Sequence, residues 1–109
     1  MFTGKNYIDG KWAKYDGPTY DKVNPANLET LGQFPLSDDD IVGEAVAVAR
    51  NKFSEWKRES RFTRSNYMDK VAQILERRKE EVAKIISLET GKNYNESIAE
   101  VNEAIHMAQ

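Results

Sequence analysis

Residues 30–42, Thr30-Leu31-Gly32-Gln33-Phe34-Pro35-Leu36-Ser37-Asp38-Asp39-Asp40-Ile41-Val42, contain the point at which the periodicity of the chain changes. Thr30 to Phe34 reads as a short strand, and Pro35, which has no N–H to give to a ladder, ends it. From Ser37 onward the apolar residues recur at helical spacing. Ser37 is the expected N-cap, Asp40 stands three residues on in a capping-box-like position, and Leu36 and Ile41 occupy the two places of a hydrophobic staple. Val42, Ala45, Val46, Ala49, Phe53 and Trp56 follow as one apolar stripe that must pack against something.

Upstream of this boundary, residues 1–36 hold all three prolines and four of the six glycines. Tyr7-Ile8-Asp9-Gly10-Lys11-Trp12 is a hairpin signal, because Asp-Gly accepts the positive φ of a tight primed turn between flanking aromatics. Thr19 to Val23 reads as a further extended stretch running into Asn24-Pro25-Ala26-Asn27. There the proline pushes Asn24 out of the helical region and makes a turn. The expectation is a small antiparallel β unit.

Downstream, polar residues from Lys57 to Arg61 break the first helix. A second begins at Thr63, with Phe62 and Tyr67 at staple positions. Val71, Ile74, Leu75, Val82, Ile85, Ile86 and Leu88 continue its apolar pattern, which slips around Arg77–Lys79. Two helices or one kinked helix fit that slip. Gly91 suits the left-handed residue after a helix. A last helix carries Ile98, Val101, Ile105 and Ala108 on one face and stops in mid-stripe at Gln109, so its apolar face is expected to meet partners further along the polypeptide. The fold class is therefore α+β, with residues 1–36 a β hairpin segment and residues 37–109 three amphipathic helices.

Composition narrows the function. In 109 residues, sixteen Lys plus Arg stand against eighteen Asp plus Glu, a formal charge of −2. This is not the basic excess of a dedicated nucleic-acid-binding domain. With no cysteine, the chain holds no disulfide scaffold, no Cys-ligated metal and no thiol nucleophile of its own. No basic-then-apolar signal pattern opens the sequence, and the longest purely apolar run is Ala45 to Ala49. The expectation is a cytoplasmic protein with neither nucleic-acid nor membrane partners.

Individual residues offer little chemistry. The single histidine, His106, shares a helix face with Asn95, Ala99, Asn102 and Gln109, opposite the Ile98/Val101/Ile105 stripe, as an exposed spectator does. Asp38-Asp39-Asp40 complements a helix N-terminus better than it converges on a cation. Arg58, Arg61, Arg64 and Arg77-Arg78-Lys79 alternate with glutamates, and pairs such as Glu80–Lys84 stand at i,i+4. Asn95-Glu96-Ser97 is formally a glycosylation acceptor but has no secretory signal to make it one. Neither a phosphate-binding glycine loop nor a GxSxG or HExxH motif occurs.

The order of motifs is more informative than any one of them. Tyr7-Ile8-Asp9-Gly10-Lys11-Trp12, followed by Val23-Asn24-Pro25-Ala26 and Leu28-Glu29-Thr30-Leu31-Gly32, resembles the opening of the aldehyde dehydrogenase superfamily. There an I-(N/D)-G-x-W hairpin leads into an N-P-A-T-G-E-x-(I/L)-G turn. Asp39-Asp40-Ile41 with Ala45–Arg50, Phe53 and Trp56 is similar to the family's first helix. Arg64 through Ala83 resembles its R-x-x-x-L…E-x-R-x-E-E-(L/I)-A segment, and Glu89-Thr90-Gly91-Lys92 its E-(T/Q/S)-G-K-P. Glu96, Glu100 and Val101 suit the A-E-x-x-x-E-V that follows. The resemblance runs in colinear order from Tyr7 to Gln109. Asn27 and Leu28 depart from the usual Thr-Gly, and Asn93 from the usual proline.

The resemblance implies the N-terminal segment of a longer α/β enzyme, within its cofactor-binding domain. Such enzymes oxidise an aldehyde to a carboxylic acid with NAD or NADP through a cysteine thiohemiacetal, and assemble as homodimers or homotetramers. In the family the nucleophile, the oxyanion donors, the base and the cofactor-binding residues all lie beyond the equivalent of Gln109. No catalytic or cofactor-binding residue is therefore expected in this chain, and the segment alone is expected to be inactive. Some relatives hold a monovalent cation on main-chain oxygens just before the N-P turn and on an acidic residue of the last helix. By position this implicates the carbonyls of Lys22 and Val23. The acidic position falls at Val101, with Glu100 the nearest carboxylate. The alternatives to an enzyme segment are a free-standing, non-enzymatic helical interaction module and a degenerate remnant.

Overall fold

The computed structural model describes residues 1–109. Five short strands come first: β1 (Phe2–Thr3), β2 (Tyr7–Ile8), β3 (Lys11–Trp12), β4 (Thr19–Val23) and β5 (Thr30–Pro35). Four helices follow: α1 (Asp39–Trp56), α2 (Arg61–Arg77), α3 (Lys79–Thr90) and α4 (Tyr94–Ala108). The chain divides into two compact units, one of residues 1–23 with 30–59, the other of residues 24–29 with 60–109. The first helix thus groups with the strands, although secondary structure alone drew the line between 36 and 37.

In the first unit, β2 and β3 form the hairpin, with Tyr7 opposite Trp12. Asp9 and Gly10 have φ of 55° and 75°, as a primed turn requires. The two aromatic rings meet edge to face at 5.0 Å. The other sheet has the order β1-β5-β4, in which β4 and β5 pair antiparallel but β1 and β5 pair parallel. This corrects the purely antiparallel expectation. The parallel pairing depends on Gly32, where a Cβ would lie 2.0 Å from the Phe2 carbonyl oxygen.

The start of α1 also differs from expectation. Asp38, not Ser37, is its N-cap and accepts from the Ile41 N–H at 3.0 Å. The Ser37 hydroxyl is occupied elsewhere, accepting from Asn6 Nδ2 at 2.8 Å, so Leu36 and Ile41 no longer stand at staple positions. No residue of α1 is buried. Ala45, Val48, Ala49 and Lys52 border a shallow hollow opposite the hairpin turn, while Val42, Val46 and Phe53 remain 54%, 63% and 46% exposed.

The second unit contains the core. Ala72 of α2, Ala83 of α3, and Val101 and Ile105 of α4 are buried together, with Leu75, Val82, Ile86, Ile98 and Ala108 packed around them. The last helix packs on both α2 and α3, so its Ile98/Val101/Ile105 stripe is covered within this chain, which corrects the expectation that it meets partners further along the polypeptide. Ser60, three residues before Thr63, caps α2 and accepts from the Thr63 N–H at 3.0 Å. With the cap at Ser60 the staple positions fall at Glu59 and Arg64, so Phe62 and Tyr67, both more than half exposed, do not occupy them. The slip around Arg77–Lys79 is a break into two helices at Arg78, which has φ −104° and ψ 14°. Gly91 ends α3 in the left-handed region, with φ of 76°.

The 24–29 turn is built on Asn24. This buried side chain accepts from the Ala26 N–H at 2.9 Å, its N–H donates to the Glu29 carbonyl, and its carbonyl accepts from the Leu28 N–H. Leu28 takes a φ of 63°. A leucine held there costs about 1–2 kcal/mol, and this one, 77% exposed, recovers little by burial. Leu28→Gly is therefore expected to stabilise the chain by about 0.5–1 kcal/mol in denaturant unfolding. A destabilised variant would show that the side chain makes a contact worth more than the strain.

Candidate functional site

The α4 N-terminus is assembled from Asn93, whose side chain accepts from the Glu96 N–H at 2.9 Å. The departure from proline at this position thus gives the helix a side-chain cap. The adjoining hollow in the second unit is lined by Asn24, Lys84, Ser87, Leu88, Lys92 and Tyr94, among others. The Ser87 and Ser97 hydroxyls lie 2.8 Å apart, and Ser97 is fully buried. One hydroxyl therefore donates to the other beneath the α3–α4 link. Such a pair ties two helices together. Burial of Ser97 also removes one member of the Asn95-Glu96-Ser97 acceptor from the surface.

Among the residues singled out for a cation, Lys22 and Val23 are the last two residues of β4, where a register shift falls between them. Glu100 is on α4 in the second unit, and its carboxylate accepts from Lys92 Nζ as an ion pair. Val101 is buried in the core. His106 is exposed near the end of α4. No three His, Asp or Glu side chains are grouped so that they could hold a metal ion. Asp38 caps α1, and Asp39 and Asp40 occupy its first turn, where they complement the helix dipole.

The charged run at the α2–α3 break neutralises itself, but not through Glu80–Lys84. Arg78 makes a two-pronged bond to Glu81, at 2.9 Å from Nε and 2.7 Å from Nη2, and Lys79 pairs with Glu76 at 2.9 Å. The Arg78 hydrogen bonds, and then its charge, hold the Glu81 carboxyl below its ordinary range. A depressed carboxyl stabilises the fold above its unfolded pKa, and that contribution fades as pH falls through the folded value. The Glu81 carbon resonance should therefore titrate below the ordinary midpoint of about 4.3. In Arg78→Gln it should return to that midpoint; an unchanged midpoint would mean that another group sets it.

A three-stranded sheet, an aromatic hairpin, an Asn-Pro turn and helices capped at Asp38, Ser60 and Asn93 make up an α+β segment. The sequence model of the Aldehyde dehydrogenase family matches residues 12–109. The chain belongs to that family.

Among curated relatives, it is 40% identical over 102 residues to malonate-semialdehyde dehydrogenase 1 of Shouchella clausii, covering 93% of this chain and 21% of the relative. Among solved structures, it superposes on an NAD-dependent aldehyde dehydrogenase from Sinorhizobium meliloti with a TM-score of 0.89 and 35% identity, over 98% of this chain and 23% of that one. An NADP-dependent glyceraldehyde-3-phosphate dehydrogenase from Bacillus halodurans, complexed with NADP, gives a TM-score of 0.92 at 26% identity, over 99% and 24%. The chain thus spans about a fifth of the length of the curated relatives it matches. No helix is long and apolar enough to cross a membrane.

Proposed function

We propose that this chain is the N-terminal segment of an NAD(P)-dependent aldehyde dehydrogenase, in which it forms part of the cofactor-binding domain. The observation that carries this reading is the family match over residues 12–109, nearly the whole chain, at about a fifth of the relatives' length. The parent oxidises an aldehyde to a carboxylic acid through a cysteine thiohemiacetal. Its nucleophile, oxyanion donors and general base come from polypeptide outside this segment, and the 109 residues alone are inactive. A reactive thiol is kept reduced in the cytoplasm, which is where we place the parent, as a homodimer or homotetramer. Relatives at 36% to 40% identity are malonate-semialdehyde dehydrogenases. A short semialdehyde is accordingly the substrate class to assay first.

An antibody raised against residues 37–90 tests the reading on the native protein in its source cells. The expected result is a band several times larger than the 109-residue chain. Once purified, that protein should reduce NAD or NADP with malonate semialdehyde or another short aldehyde. A band at the size of the chain itself would overturn the enzyme reading in favour of a free-standing interaction module.

The monovalent-cation site is a proposal of the same kind. Main-chain oxygens at the end of β4 and a carboxylate of α4 are the hard donors such an ion takes. The Lys92–Glu100 pair would then have to open for Glu100 to serve. If Glu100 contributes, Glu100→Ala in the parent reduces the rise in melting temperature given by potassium over an impermeant organic cation. An equal rise in both proteins would remove Glu100 from the site.

A further inference from the structure

The hollow beside the α3–α4 link is bordered by donors that nothing in the chain uses. It has a volume of about 420 Å³ and lies wholly within the second unit. Asn24 is 8% exposed, and its Oδ1 accepts from the Ala26 N–H at 2.9 Å. That bond fixes which way the amide faces, so both N–H groups of the side chain are on Nδ2. Nδ2 donates to no group of the chain. No fully buried side-chain nitrogen lacks a partner, so Nδ2 reaches the surface, and Asn24 borders this hollow. A polar side chain buried this deeply ordinarily has its donors satisfied.

Two further donors border the same space. Lys84 makes no ion pair. The Tyr94 hydroxyl makes no hydrogen bond. Lys92, the other cation on the rim, is already engaged by Glu100. No carboxylate lines the hollow to compete for these groups, and Ala26 and Leu88 give it an apolar wall. An amide, a hydroxyl and one free ammonium match the two oxygens of a carboxylate, and the apolar wall matches a short hydrocarbon chain behind it. A phosphate dianion calls for more positive charge than a single unpaired lysine supplies.

We propose that this hollow binds a small aliphatic carboxylate, held by Asn24 Nδ2, Lys84 Nζ and the Tyr94 hydroxyl, with its chain against Ala26 and Leu88. The site does not depend on the enzyme reading, because each of its groups belongs to the second unit.

Acetylation of lysines in the full native protein tests it, with hexanoate as the probe. An anion beside an ammonium favours the charged form, which does not react with an acylating reagent. A bound carboxylate therefore slows acetylation of Lys84. The rate is read by mass spectrometry of the peptide that contains Lys84, with the exposed Lys11 as internal reference. Saturating hexanoate is expected to slow Lys84 about fivefold or more relative to chloride at equal ionic strength, and to leave Lys11 unchanged. Tyr94→Phe keeps the ring and should raise the hexanoate concentration for half protection about tenfold, as loss of a hydrogen bond to a charged group does. Equal Lys84 rates in hexanoate and chloride would overturn the site, and so would a Tyr94→Phe protein protected as well as wild type. Protection by inorganic phosphate at lower concentrations than hexanoate would overturn the carboxylate assignment. A Lys84 that reacts only after denaturation would show the hollow already filled by other polypeptide, which also overturns the site.

Discussion

Ile105→Ala is expected to cost about 2–5 kcal/mol, the usual range for truncating a buried isoleucine. Ile105 is 4% exposed and belongs to the four-residue core formed with Ala72, Ala83 and Val101. The other three side chains of that core, two alanines and a valine, are too short to reach into the space. A small domain has only about 5–15 kcal/mol in total, and a chain of this size buries a modest fraction of its surface. The expected readout in the 109-residue chain is loss of the cooperative helical transition in urea. Ile98→Ala, at the edge of the same cluster, should lose less. An Ile105→Ala variant as stable as its parent would show that this core does not hold the second unit together.

The second large effect is expected at Gly91, where two costs fall on one atom. The φ of 76° disfavours any L side chain by about 1–2 kcal/mol, and a Cβ there would come 3.1 Å from Cγ of Pro25. Gly91→Val adds two methyls to that contact, so a loss of about 2–4 kcal/mol is expected when strain and crowding combine. Asn tolerates the left-handed region, so Gly91→Asn should be milder. The order of denaturation midpoints should be wild type, then Asn, then Ala, then Val. A valine variant equal to wild type would mean that α3 ends differently in solution.

How far the sequence was legible varies with the range of the interaction that decided each feature. Asp9-Gly10 and Gly91 were readable because a backbone dihedral is a local property, and each takes the positive φ its residue type favours. The Ile98/Val101/Ile105 stripe was readable because amphipathic period survives whatever partner it meets. The Phe2–Thr3 strand was not, since two residues have no period and the pairing depends on a missing Cβ at Gly32, thirty positions away in sequence. The α1 cap was misread because Ser37 and Asp38 are both good caps, and only the Asn6 side chain decides between them. At Arg78 the helix breaks among good helix formers, with neither glycine nor proline to mark it. The family was legible from motif order, and the matching region confirms it over residues 12–109. Chemistry was not legible in any single residue. The one histidine is exposed, and the charged run at the α2–α3 break pairs within itself, Arg78 with Glu81 and Lys79 with Glu76.

The Asn24–Glu29 turn belongs to the second unit, while the strands on either side of it belong to the first. This has a consequence for the order of events on the ribosome. By the time Glu59 has left the exit tunnel, β4, β5 and α1 are all outside it, yet the helices that complete the turn's own unit have not emerged. Gly91 follows roughly thirty residues later, a delay of seconds at about 5–20 residues per second. During that interval the turn is kept in shape by its own residues, by Asn24 through its side chain and both of its main-chain groups and by Asn27, whose side chain accepts from the Glu29 N–H. Waiting is thermodynamically cheap, because loop closure grows only with the logarithm of the intervening length. A residue that pre-forms its turn before its partners exist is well suited to a nascent chain, and the strain at Leu28 works against it.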